Sequence, residues 1–499
     1  MTEERKTGRE AQTSNIRAAV QVAETVRSTL GPAGMDKMLV DERGETIVTN
    51  DGITILRELE TAHPGAQMMV QASQTQEEVC KDGTTSVVVL AGQMLALSEG
   101  LLARGIHPQT IVRAFNKASR VALEDMPAGE TGIAVCHVAA TALRGKASES
   151  ALGFASQLVE NAAHTVDGNL DRVRTLTQAG GAMTDSYLHN GLVLNKMFVN
   201  PDFGGKENPR VLLLDGGLDG FNYEDVQMQI QDPAQLESIR QQEMQILSNV
   251  AHKISDMCDI IIVRDGIHEA VAKHLDMMDI GVVSRVQQSD IDGVSRITGV
   301  PIYHRITEVG EGDVPRIEGK ISALRISDLD YVSIETKDSD TITMIIRGAT
   351  RQTLDEYERA FDDALGVACL YMKDKRLYPG GGAVLSKLAM SVRNYATLER
   401  ESTARERMCM EAFADALEII PAAIASNAGM DALDVVMELR SVSSDMGLYI
   451  NFEGVGKIAA TGIDHGVWEP AALVEQIIKS ATEVACSILR IDDIIARRT

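Results

Sequence analysis

Aromatic side chains are scarce, at 4% of 499 residues with a single Trp, so the interior is expected to be aliphatic and helix-rich, with a lean towards α/β. Positive charge is also short. Against 72 Asp and Glu stand 48 Lys and Arg, a formal charge of −24, and no basic run breaks it. Such a surface repels phosphate backbones and anionic lipid, which sets aside nucleic acid and membrane as partners. The six cysteines, at positions 80, 136, 258, 369, 409 and 486, are too scattered for a zinc pattern and too few for a disulfide framework. A reducing, cytoplasmic setting fits them. The ten His form no His-Glu-x-x-His cluster, and no Gly-x-x-x-x-Gly-Lys-Ser/Thr occurs, which argues against an ordinary P-loop enzyme. Met1-Thr-Glu-Glu-Arg-Lys6 holds no apolar signal core, and no apolar run is expected to approach the roughly 20 residues that span a bilayer.

What is present is long enough for two or three domains. From Asn15, the residues Ile16, Ala19, Val20, Ala23, Val26 and Leu30 keep the helical period, which stops at Leu30-Gly31-Pro32. Lys37–Val40 and Thr46–Thr49 flank a turn at Glu42-Arg-Gly44 and read as a hairpin. After Asp82-Gly83, the run from Thr84 to Leu97 is apolar on most sides and reads as a buried helix, its N-terminus facing a polar site. Residues 106–205 read as mainly helical, with a turn at Gly180-Gly181 leading into a strand. From about 191 to 344, strands such as Arg210–Leu214 and Ile260–Val263 alternate with helices such as 234–255, an α/β insert. Long helices return from Thr353.

Three segments bring Gly and Asp together: Leu30-Gly31-Pro32-Ala33-Gly34, Thr49-Asn50-Asp51-Gly52, and Asp82-Gly83-Thr84-Thr85-Ser86. A triphosphate needs backbone N–H groups approachable at close range, which Gly beside a helix N-terminus supplies, and the Gly83 segment meets this best. Phosphoryl transfer further needs hard oxygen donors for Mg²⁺ and a group to orient water, tasks for which Asp82 and Asp51 are the right type. Each segment taken singly also reads as a plain Asp-Gly turn. Gly380-Gly381-Gly382 admits two readings, a surface for a flat base or ribose and a flexible helix connection. Asp362 and Asp363, within Glu356–Leu365, read on composition as a solvated helix face.

The order and spacing of several motifs resemble the group II (thermosome-type, TCP-1) chaperonins. They are Asn15-Ile-Arg-Ala-Ala19, Thr29–Leu39, Thr49–Leu56, Asp82–Gly92 and Gly105-Ile-His-Pro108. Further on come Ile346-Arg-Gly348, Asp355–Arg359, Asp363-Ala-Leu365, Gly380–Ala383, Glu411–Leu417, Asn427-Ala-Gly429, Glu469-Pro470 and Ile488–Asp493. The resemblance thins between about 120 and 340. It implies a multidomain α/β chaperonin fold. Residues 1–135 and 379–499 would make a mostly helical equatorial ATP-binding domain, 136–190 and 345–378 an α/β intermediate hinge, and 191–344 an α/β apical substrate domain. A helical protrusion near Asp232-Pro-Ala-Gln-Leu236 would act as a built-in lid, with no separate lid co-chaperonin.

The resemblance also implies an ATPase that encloses non-native proteins in a double ring of like subunits, homomeric or mixed, in the cytoplasm. Carried over by position, Leu30, Gly31, Pro32, Gly52, Gly83, Thr84, Thr85 and Ser86 would hold ATP phosphates, and Asp82 would hold Mg²⁺. Asp51 and Asp363 would orient or activate water, Gly381 and Glu469 would meet the nucleoside, and Lys146 of Thr141-Ala-Leu-Arg-Gly-Lys146 would sense the terminal phosphate. One departure matters: Lys81 stands where the family has Gly before the metal-binding Asp, and at positive φ it would cost on the order of 1 kcal/mol. That leaves a divergent subunit that binds nucleotide and hydrolyses it weakly as an alternative. A monomeric phosphohydrolase using the same carboxylates is a third.

Overall fold

A computed structural model of the chain describes residues 5–40, 44, 46–59, 63–218, 233–310, 312–337, 341–400, 402–443 and 445–495. They form two compact units, one from Met1–Leu170 with Ala349–Thr499 and one from Asp171–Gly348. The hairpin tip at Glu42 and Arg43, Asp232 of the expected lid segment, and Arg497–Thr499 lie outside the described residues.

The first unit opens with strand β1 (Arg5–Thr7) and helix α1 (Arg9–Arg27), followed by the hairpin β2 (Lys37–Val40) and β3 (Thr46–Thr49). Then come helices α2 (Gly52–Glu58), α3 (Pro64–Cys80), α4 (Thr84–Ala103), α5 (Pro108–Glu124), α6 (Val135–Leu143) and α7 (Glu149–Thr165). The starts are chemically marked. His63 and His107 accept from the backbone N–H of Gly65 and Gln109, the second residues of α3 and α5, and each His is followed by a Pro, whose fixed φ suits the first helical position. α1 begins six residues before the expected Asn15, directly after Gly8 at φ 59°, a conformation the helix cannot contain.

Among the described residues the second unit holds three sheets. In chain order its elements are β4 (Val173–Ala179), β5 (Tyr187–Asn190), β6 (Leu192–Leu194), β7 (Gly205–Glu207), β8 (Val211–Leu214), α8 (Pro233–Met257), β9 (Ile260–Val263), α9 (Glu269–Met277), β10 (Gly281–Val283), α10 (Gln288–Thr298), β11 (Ile302–Tyr303), β12 (Gly319–Ile326), β13 (Leu329–Thr336) and β14 (Ile342–Gly348). A parallel sheet runs β10-β9-β8-β11. All residues of β8 and β9 are buried, as expected of strands covered on both faces. An antiparallel sheet runs β6-β13-β12-β7, and β14 lies between β4 and β5. The helical reading of 106–205 therefore holds only to Thr165. Beyond it the chain is strand, and β4 precedes the Gly180-Gly181 turn, because its partner is β14, far along the sequence and invisible to local periodicity.

The first unit resumes with α11 (Arg351–Lys373), β15 (Leu377–Pro379), α12 (Ala383–Leu398), α13 (Ala404–Leu417), α14 (Ile419–Asn427), α15 (Ala432–Ser441), β16 (Met446–Ile450), β17 (Gly456–Ala460), α16 (Thr461–His465), β18 (Trp468–Pro470), α17 (Ala471–Leu489) and β19 (Asp493–Ile495). One aliphatic core joins both halves, with Ile16, Val88, Leu90, Phe115, Leu388, Phe413 and Ile478 at most 1% exposed. β1 pairs with β19. By length and apolar composition alone α4 is long enough to cross a membrane, contrary to expectation. Val87, Val88, Leu90, Met94 and Leu95 are wholly buried in this core, so α4 is its central helix.

Candidate functional site

α4 begins at Gly83, which takes φ 77°, and neither a side-chain cap nor an acidic residue serves its first turn. A helix start left this way presents free N–H groups and positive potential, the elements of an anion site. Gly83 suits this position: its φ is one that side-chain-bearing residues rarely take, and a Cβ there would press on the ends of Ile477 and Leu473 of α17, at 2.9 and 3.1 Å. The preceding Asp82 accepts from the Gly83 N–H at 2.6 Å, and its carbonyl is held by Gln76 Nε2 at 2.9 Å.

Around this point the fold gathers an open cleft. Every residue named from the sequence lines it: Leu30, Gly31, Pro32, Asp51, Gly52, Asp82, Gly83, Thr84, Thr85, Ser86, Lys146, Asp363, Gly381 and Glu469. Three carboxylates from positions 51, 82 and 363 thus share one cavity. Leu30 and Gly31 follow α1, and Asn427 at the end of α14 donates to the carbonyls of Arg27 at 3.0 Å and Leu30 at 2.8 Å, fixing that turn. Asp51 caps α2, accepting from Ile53 N, Thr54 N and the Thr54 hydroxyl. Gly52 lies against the Thr85 side chain, where a Cβ would overlap the hydroxyl.

Asp363 points inward from α11 and pairs with Lys146, the two side chains 15% and 20% exposed. The solvated-face reading of Asp363 is therefore wrong, because an amphipathic pattern cannot show which polar residue of a long helix meets a cavity. Burial pushes its carboxyl up to about 7, with Asp82 and Asp51 adding and Lys146 opposing. Burial likewise raises Asp82, against Lys146 and the Gly83 N–H. Burial disfavours the Lys146 cation, yet Asp363 and Asp82 outweigh it and hold the ammonium firmly charged.

The Gly380–Gly382 segment is not a flexible connection. Gly381 and Gly382 take φ 72° and 77°, and added Cβ atoms would strike the Leu448 backbone and the Pro421 ring. Leu448 N–H donates to Gly381 O at 2.9 Å, and Gly380 bonds Val467 O and accepts from the Thr461 hydroxyl. β15 pairs with β18, which brings Glu469 opposite Tyr378. Burial, with Asp82 adding, pushes the Glu469 carboxyl up to about 7, while the Gly381 N–H opposes.

Sequence reasoning missed the apolar wall, made by Ile420, Ile424, Leu448, Ile450 and Val467, and the mouth residues Arg144 and Tyr449. Tyr449 stacks on His465 with ring centroids 3.8 Å apart, and the Arg144 guanidinium lies 5.2 Å from the Tyr449 ring. Aliphatic residues on a short hairpin carry no local signal of this role. The cavity thus combines anion-binding backbone and carboxylates with apolar side chains.

Comparison with known proteins agrees with this architecture. The model of the TCP-1/cpn60 chaperonin family matches residues 22–499. The chain is 37% identical to a thermosome subunit of Methanopyrus kandleri, over 99% of this chain and 93% of the relative. It is 36% identical to thermosome subunit alpha of Archaeoglobus fulgidus, with the same coverage. With thermosome subunit beta of Thermoplasma acidophilum it shares 33% identity, over 99% of this chain and 94% of the relative.

Proposed function

The chain belongs to the TCP-1/cpn60 chaperonin family, and we infer from this premise that it is a subunit of an ATP-dependent, thermosome-type group II chaperonin that assists protein folding. As in the family, it is an ATPase, assembles into oligomeric rings and binds non-native proteins. The observation that carries the ATPase reading is the uncapped start of α4, set in one cavity with Asp51, Asp82 and Asp363.

ATP enters with its phosphates beside Gly83, against the N–H groups of Thr84, Thr85 and Ser86 and the turn Leu30-Gly31-Pro32, close to Gly52. Gly381 and Glu469 meet the nucleoside, and the apolar wall takes the base. Mg²⁺ fits the donor set: Asp82 offers a buried hard carboxylate with the Thr84, Thr85 and Ser86 hydroxyls in the same cavity, the kind of site in which phosphates complete the shell. Asp82 would hold the ion, which when bound neutralises phosphate charge. A terminal phosphate competes with Asp363 for Lys146. The released carboxylate takes the proton of the attacking water, while Asp51 orients that water.

We assign residues 1–135 and 379–499 to an equatorial domain, 136–190 and 345–378 to an intermediate hinge, and 191–344 to an apical domain with a built-in lid that needs no separate co-chaperonin. Asp363 belongs to the hinge segment, so its approach ties chemistry to domain motion. The ring is double and the particle cytoplasmic, without nucleic-acid or membrane partners. The monomeric phosphohydrolase falls away, since the family match spans residues 22–499, and the weakly hydrolysing subunit is not favoured by relatives at 33–37% identity. The test is magnesium-dependent ATP turnover by the purified protein beside an Asp363→Ala variant. Turnover in the first and its loss in the second are expected; equal rates would remove the reading.

A further inference from the structure

Lys81 closes α3 at φ 60°, in the left-handed region. A side chain there is strained relative to Gly, which calls for a compensating contact. One exists. Gly366 lies buried deep within the 23-residue helix α11, where Gly is unfavourable against Ala. Its missing Cβ leaves a hollow that Lys81 fills: a Cβ on Gly366 would overlap both Cβ and Cγ of Lys81, with Cδ at 3.6 Å. The overlap is with the root of the side chain, so rotating the flexible end of the lysine cannot relieve it. Two locally unfavourable residues thus fit only because of each other.

The contact lies between two working parts. Lys81 immediately precedes Asp82, and Gly366 is three residues after Asp363, on the same helix face. The ammonium end of Lys81 acts electrostatically on Asp362 and Glu77, opposing the upward push that burial gives both carboxyls. We propose that Lys81 and Gly366 form a knob and socket that sets the separation between the Asp82 turn and the Asp363 helix, making Lys81 a positioning residue for hydrolysis through its aliphatic stem.

The proposal rests on the ATPase reading above, and its test separates the two. Turnover, ATP KM and thermal unfolding are measured for Gly366→Ala, Lys81→Gly, the double variant and Asp363→Ala. Filling the socket with the knob in place should lower kcat about 10-fold, with KM within about two-fold, because the reacting groups are displaced and the phosphate cradle is intact. Removing the knob should then restore the double variant to within about three-fold of the parent, a non-additivity that direct contact predicts. An unchanged kcat in folded Gly366→Ala, or a defect that Lys81→Gly leaves unrelieved, overturns the knob and socket. If Gly366→Ala does not fold, the proposal stands only where the double variant folds and turns over ATP; a double variant that also fails to fold overturns it. Loss of turnover in Asp363→Ala beside an unaffected Gly366→Ala sinks this proposal alone, whereas full turnover in Asp363→Ala sinks the ATPase reading beneath it.

Discussion

Two buried sites, one in each unit, handle charge in opposite ways. In the second unit, buried Asp290 has the Arg174 guanidinium at 2.6 Å, an ion pair that belongs to the packing. In the first, Asp82, Asp363 and Glu469 crowd one cavity with Lys146 as the cation paired to Asp363, and burial lifts all three carboxyls. Carboxylates concentrated without matching cations cost stability and repay it only when a ligand brings compensating charge. The difference teaches where chemistry resides: a buried carboxylate matched by guanidinium, as at Asp290 or at Glu418 between Arg393 and Arg440 of the first unit, serves structure, whereas the cavity keeps its carboxylates for a bound molecule.

The contrast can be broken at several points. The largest effect is expected in the second unit, where Ile261→Ala in the wholly buried β9 should cost about 3 kcal/mol of unfolding free energy in denaturant titration. ATP KM should stay within two-fold; a parallel loss of nucleotide affinity would show that the units do not divide their tasks. Next is the pH profile. A base with a carboxyl at about 7 must be ionised, so activity is retained above that value and lost as pH falls through it. kcat should drop roughly 50-fold between pH 7 and pH 5, and a flat profile over that range would exclude Asp363 as the base.

Third, Asp51→Asn separates charge from capping, since Asn caps a helix as well as Asp does. kcat should fall about 10-fold with thermal stability unchanged; an equal loss of stability would assign Asp51 to the turn alone. The smallest effect is Glu469→Gln. Its folded pKa, about 7, lies above the ordinary carboxylate value, so the ionised form is penalised in the nucleotide-free protein. That penalty is absent at low pH, grows as pH rises towards 7 and is complete above it. The variant should therefore melt on the order of 2 °C higher at pH 8, the gain vanishing near pH 4. A gain independent of pH would point to packing instead.

Much of the first unit was legible because its chemistry restricts residue type. Gly83 before Thr84 marked the start of α4, and the hairpin of β2 and β3 followed from alternation. Asp363 was hidden from pattern and visible only through resemblance, because a helix carries many acidic residues and only contact selects one. Gly366 gave no signal: its meaning lies in Lys81, 285 positions earlier. β4 was misjudged for the same reason, since its stability comes from β14. The three-part domain division stays a functional proposal beside two compact units, whose boundary falls at Asp171 and Gly348.

The seam between Gly83 and α17 bears on biosynthesis. The Asp82 loop emerges from the ribosome early, but Leu473 and Ile477, which wall in Gly83, follow about 390 residues later. At 5–20 residues per second that is a delay of roughly 20–80 s. The contiguous segment Asp171–Gly348 is complete well before then. The nascent chain therefore carries a finished α/β body while the nucleotide pocket still waits for its final wall, so premature termination anywhere before α17 yields a protein with no competent pocket.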